Sequence, residues 1–98
     1  MIFDGIEKHS ALSSLTLPST LTYIGNYALE NHRNLSSLTC LGSTAPFVYS
    51  YTFGDYLGAN VPSGTPKTLN VPSGATGYTS GYWNSKVINK GFTLNATL

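Results

Sequence analysis

The sequence predicts a mainly β chain with short helical or 3₁₀ segments, wound as a short right-handed solenoid and closed by a carboxy-terminal cap. Three observations carry that expectation. Leu12-Ser13-Ser14-Leu15-Thr16-Leu17 returns 23 positions later as Leu35-Ser36-Ser37-Leu38-Thr39-Cys40. The residues before it match at the same offset, Ile6 with Leu29, Glu7 with Glu30 and His9 with His32. A third stretch, Leu69-Asn70-Val71-Pro72, repeats the pattern of Leu15-Thr16-Leu17-Pro18. A fixed period in the twenties is the signature of a leucine-rich solenoid. One such unit cannot bury its own apolar face, so stacking of units makes the core.

Residues 1–45 hold two 23-residue units, the first truncated. In each, the strand alternates: Leu15, Leu17, Leu38 and Cys40 point inward, and Thr16 and Thr39 outward. Pro18 stops the first strand because it has no N–H to give to a ladder. Leu21, Ile24, Ala28 and Leu29 follow at mixed spacing, which suits a turn plus a short helical or 3₁₀ return, with the bend at Gly25-Asn26. Residues 46–67 form an aromatic insertion carrying Phe47, Tyr49, Tyr51, Phe53 and Tyr56. Residues 68–98 supply a last strand, Thr68 to Pro72, and a capping module whose anchors are Tyr82, Trp83, Val87, Ile88, Phe92 and Leu94. A terminal unit must cover the open end of the stack, and bulky side chains suit that role. The whole is one domain.

Composition narrows the function classes. Five basic and four acidic side chains give a net charge of +1. No basic stripe exists to release counterions from phosphates, which argues against nucleic acid as a partner. Nor is there a polybasic segment for an anionic membrane. Cys40 is the one cysteine, so no internal disulfide can form. The start, Met1-Ile2-Phe3-Asp4-Gly5, lacks the basic and apolar regions of a secretory signal. Met1 falls in the middle of a repeat unit, which reads as a carboxy-terminal piece of a longer chain. The coil holding Ile2, Phe3, Ile6 and Leu12 would then lack its upstream neighbour, and self-association through that end is expected.

Ile24-Gly25-Asn26-Tyr27-Ala28-Leu29-Glu30, followed by Leu35-Ser36-Ser37-Leu38-Thr39, resembles the BspA-type leucine-rich repeat. The stretch from Leu69 through Gly74 to Gly77-Tyr78 and Gly81-Tyr82-Trp83 is similar to the terminal module such proteins carry. The chain departs from the pattern at Leu29, where the family has Phe, at His32, where a small residue or Cys is common, and at Gly5, which replaces Ala. The resemblance implies a secreted or cell-surface bacterial protein. It implies adhesion and protein binding, and it offers no catalytic residues to carry over.

The individual candidates divide as follows. His9 and His32 would lie on neighbouring coils. A metal site wants three or four ligands, so the pair reads as one repeat position near a solvent-facing turn, and no metal or cofactor is expected. Cys40 reads as a small core hydrophobe rather than a nucleophile, which would need a base and exposure. The outward positions Ser14, Thr16, Ser37, Thr39, Thr68 and Asn70 read first as strand formers facing water and second as a hydrogen-bonding platform. Phe47, Tyr49, Tyr51 and Phe53 alternate and so share one face of an extended chain. Phe47 and Phe53 are expected to pack, and Trp83 to sit in the cap. Tyr49, Tyr51 and Tyr56 are balanced between packing and ligand contact, because tyrosine offers large contact area with a polar tip. The sequons at Asn34 and Asn95 carry no function in a bacterial chain.

The candidate ligand-binding residues are therefore Tyr49, Tyr51, Tyr56, Thr16, Thr39 and Asn70. Four carboxylates in no acid–base pattern and the lack of a phosphate loop argue against an enzyme. The leading expectation is a non-catalytic interaction module, the end of a longer repeat protein, that binds host or microbial protein. The alternatives are a carbohydrate-binding module using exposed tyrosines and a purely structural end cap.

Overall fold

The computed structural model describes residues 12–30 and 32–98 in full and residues 2–3 as backbone. The chain is mainly strands with few short helices. In order these are β1 (Ile2–Phe3), β2 (Ser14–Leu17), β3 (Tyr23–Ile24), β4 (Ser37–Cys40), β5 (Phe47–Val48), β6 (Lys67–Val71), α1 (Gly81–Lys86), a 3₁₀ turn (Ile88–Lys90) and β7 (Phe92–Ala96). Two parallel sheets result, one of order β2-β4-β6-β7 and one of order β1-β3-β5. Parallel neighbours cannot be joined by a hairpin. The chain meets this by visiting the smaller sheet between successive strands of the larger one, as in β2, β3, β4, β5, β6.

The repeat in the sequence is the register of the larger sheet. Ser14, Leu15, Thr16 and Leu17 face Ser37, Leu38, Thr39 and Cys40, each 23 positions on. Leu38 in turn faces Leu69, and Leu69 faces Leu94, so Leu15, Leu38, Leu69 and Leu94 form one file across four strands. Leu38 and Leu69 at its centre are fully buried. Burying a leucine side chain contributes roughly 1.5–3 kcal/mol, so this file is a principal stabiliser. A second inward file holds Leu17, Cys40 and Val71 at 1% exposure each. Ile24 and Val48, paired in register, close the core from the smaller sheet.

The segment after β6 covers the core with aromatic rings. Trp83 on α1 meets Phe53 and Tyr78, each at 5.0 Å between centroids and edge-on. Its indole N–H donates to the carbonyl of Pro46 at 2.8 Å. Gly91 takes φ of 100° after the 3₁₀ turn and so lets the chain reverse into β7.

Several expectations need correction. The return after Pro18 is not helical: Tyr23–Ile24 is a two-residue strand, followed by turns. Ile24 is drawn into extended backbone by pairing with Val48. Phe92 and Leu94 are not only cap anchors, for they lie in a fourth strand of the larger sheet. The alternation of Phe47, Tyr49, Tyr51 and Phe53 fails at the last member. The chain turns after Val48, leaving Phe47 exposed and Phe53 fully buried. His32 is fully buried rather than near a solvent-facing turn. Its repeat partner His9 lies outside the described residues, as do Asp4, Gly5, Ile6 and Glu7. Of the four residues expected to drive self-association, Leu12 alone is described with its side chain, and it is half-buried.

Candidate functional site: an exposed aromatic strip

The strip is built on the smaller sheet and the turns that follow its strands. Register places Tyr23 beside Phe47 on the outward face, because Ile24 and Val48 take the inward positions. Tyr49 then packs edge-on against both rings, at 5.9 Å from Tyr23 and 5.0 Å from Phe47. Tyr51 stacks on Tyr27, with centroids 5.9 Å apart and planes 3° from parallel.

Backbone bonds fix these rings. Tyr27 N–H donates to the Tyr51 carbonyl at 3.1 Å, and Leu29 N–H to the Thr52 carbonyl at 2.8 Å. Tyr51 N–H donates to Asn26 Oδ1 at 3.0 Å. The buried Thr52 hydroxyl is the hub: it accepts from Tyr49 N–H at 2.8 Å and shares its proton between the carbonyls of Ile24 and Gly25. A buried hydroxyl with both functions met locks two turns together.

Cations lie over the rings. Arg33 Cζ stands 4.2 Å from the Tyr56 centroid, and Lys86 Nζ stands 5.3 Å from that of Tyr51. Lys86 also pairs with Asp55, whose carboxyl is thereby held below its ordinary value. At the other end of the strip, Phe47 and Tyr82 flank a groove of about 350 Å³ that also meets Pro46, Val48 and Trp83.

The sequence candidates separate into two places. Tyr49, Tyr51 and Tyr56 are exposed by 38%, 44% and 51%, and Phe47 by 61%, where packing was expected. Thr16, Thr39 and Asn70 lie instead on the larger sheet. There Asn70 Nδ2 donates to Ser37 Oγ, Thr39 Oγ1 and Thr68 Oγ1 at 3.2–3.3 Å, and Asn70 Oδ1 accepts from Asn95. Much of that ladder's hydrogen-bonding capacity is therefore used within the sheet. Trp83 and Cys40 are buried as expected. Burial pushes the Cys40 thiol up to about 12, which keeps it protonated at neutral pH. The Tyr78 hydroxyl, buried beside it, donates to the Gly42 carbonyl at 2.9 Å, and burial raises its pKa as well.

Tyr23, Arg33, Lys86 and Thr52 belong to the strip or its support without standing out in the sequence. Tyr27 stands out there only within the repeat resemblance, and Tyr82, expected as a buried cap anchor, is 44% exposed beside the groove. A signal for two of them existed. Tyr23-Ile24 and Tyr27 recur as Phe47-Val48 and Tyr51 at an offset of 24, one more than the strand repeat.

Among the described residues no group of three or more His, Cys, Asp or Glu side chains lies close enough together to hold a metal ion. Among them, too, no helix is long and apolar enough to cross a membrane. No family model, curated protein or solved structure matches the chain.

Proposed function

We propose that this chain is a non-catalytic recognition module that binds a protein partner through the aromatic strip. In this reading it is the end of a right-handed leucine-rich solenoid of the BspA type, carried at a bacterial cell surface, with the segment around Trp83 as its cap. The parallel register at 23 positions and the in-line leucine file support the solenoid.

The observation that carries the protein partner is the way the rings are already engaged. Tyr51 has Tyr27 stacked on it and Lys86 over it, Tyr56 has Arg33 over it, and Tyr49 is edge-on to two rings. A pyranose stacks on a bare ring face. What the strip offers is ring edges, hydroxyl tips and a groove, held on a fixed backbone, and these suit side chains of a partner. Rigid aromatic anchors lose little entropy on binding.

A second reading, a glycan-binding module, is favoured by the exposure of Tyr49, Tyr51 and Tyr56. Probing a protein array of host and microbial surface proteins alongside a glycan array separates the two. Saturable binding on the protein array with a blank glycan array is expected. Specific glycan binding with a blank protein array would replace the first reading by the second, and two blanks would leave a structural end cap.

A further inference from the structure

The aromatic strip ends in a cluster of charge that the ring geometry alone does not explain. Four cations occur among the described residues: Arg33, Lys67, Lys86 and Lys90. Lys67 is turned inward, with its ammonium on the carbonyls of Gly58 and Lys90. The other three gather around Asp55 and Tyr56. Arg33 lies on the Tyr56 ring, Lys86 bridges Asp55 and Tyr51, and Lys90 is close enough to act on the Asp55 carboxyl. Glu30, whose stem lies beside Gly54, is the other described acid on this side. Among the described residues, three cations stand against two acids at this end of the strip.

Arg33 is the distinctive member. Its guanidinium carbon stands 4.2 Å from the centroid of an exposed ring, and it forms no ion pair with a carboxylate among the described residues. Contact with the ring holds the cation in place, and none of its N–H donors is committed to a described carboxylate. A guanidinium edge matches a carboxylate in two parallel hydrogen bonds. Lys86, by contrast, is already neutralised in part by Asp55.

Resting on the recognition reading above, we infer that the partner docks an acidic segment here, with a Glu or Asp carboxylate on Arg33 and its neighbouring side chains against Tyr51 and Tyr56. Charge complementarity argues for that occupant. A peptide is favoured over an acidic glycan because Tyr27, Lys86 and Arg33 already lie over the rings of Tyr51 and Tyr56, which leaves less bare ring face for a sugar to stack on.

The test is binding of a fluorescent poly-L-glutamate peptide to the full chain at low and high salt, with a sulfated heparin oligosaccharide and an uncharged peptide as parallel probes. Binding of polyglutamate that weakens with salt is expected. Arg33→Ala should lower its affinity about ten- to a hundredfold, the range of a charge-assisted hydrogen bond. Arg33→Lys should fall between, since it keeps the charge and loses the fork. Asp55→Asn should strengthen binding, because it removes the internal competitor for Lys86. No binding of polyglutamate, binding indifferent to Arg33→Ala in a variant shown folded by circular dichroism, or binding of heparin alone would each overturn the inference. Salt-independent hits on the protein array would then leave the recognition reading standing without an acidic partner.

Discussion

Tyr27 and Tyr51 stack 3° from parallel across a backbone hydrogen bond between the same two residues. Tyr27 holds φ of 64°, the one non-glycine residue at positive φ among those described. That conformation costs an L-residue roughly 1–2 kcal/mol. Strain of this kind persists where the surroundings fix it, and it clusters at binding sites.

The first expected outcome follows from that strain. Tyr27→Gly relieves the backbone and loses a stacked pair worth about 0.5–1.5 kcal/mol beyond its area. We expect the stability to urea to change by about 1 kcal/mol or less, while partner binding falls. A variant that unfolds much more easily would show that the ring is needed for the fold.

Thr52→Val keeps shape and deletes the hydroxyl that joins Tyr49 N–H to the carbonyls of Ile24 and Gly25. Tyr49 N–H loses its acceptor and the Ile24 carbonyl a donor, while the Gly25 carbonyl keeps Ala28 N–H at 3.2 Å. The change should destabilise by about 1–3 kcal/mol. Urea unfolding measures this, and faster amide exchange at Tyr49 should accompany it.

Gly58 sits at φ of +67°, and a Cβ there would stand 2.9 Å from the Leu35 carbonyl oxygen and 3.0 Å from Phe92. Both the conformation and the contact oppose a side chain. Gly58→Ala should cost about 2 kcal/mol or more, read as a lower urea midpoint. A neutral result would mean that β7 can shift to make room.

Alkaline pH should unfold the chain through Cys40. Its thiol moves from 9.0 to about 12 on folding, with burial the largest cause. Below 9 both states hold the proton and no pH dependence arises from this group. Between 9 and 12 the unfolded state releases the proton while the folded state keeps it. Stability should therefore fall as pH rises, with a slope approaching about 1.4 kcal/mol per pH unit. Tyr78, also raised, adds to the loss at the upper end. Cys40→Val should flatten the profile. Asp55 acts in the opposite window: its lowered pKa adds stability above its ordinary value, lost as pH falls through the folded value. Its exposure keeps that effect small.

Legibility in the sequence followed the strictness of the repeat. Ser14 to Leu17 and Ser37 to Cys40 share period, alternation and residue type, so strands, inward face and register could all be read. Where the offset drifts, the reading weakened. Thr68-Leu69-Asn70 recurs as Thr93-Leu94-Asn95 at an offset of 25, which makes β7 a strand of the same sheet, yet bulky neighbours such as Trp83 and Phe92 read as a cap. The drift to 24 hid the match of Tyr27 with Tyr51 in the same way. Phe53 packs as expected but Phe47 does not, because alternation presumes an extended chain and the turn after Val48 puts the two rings on different sides. Arg33 over Tyr56, and Lys86 over Tyr51 from 35 residues away, depend on tertiary contact that no local pattern carries.

The most direct test of recognition by the strip is the affinity of the Tyr49→Ala/Tyr51→Ala/Tyr56→Ala variant for a partner found on the protein array, beside its unfolding midpoint. The three rings pack on Tyr23, Phe47 and Tyr27 and lie under Arg33 and Lys86, so the midpoint should fall. Under conditions where circular dichroism shows the variant folded, affinity should fall about tenfold or more, as removal of interface anchors does. Full affinity in the folded triple variant would contradict the assignment and move the binding surface elsewhere.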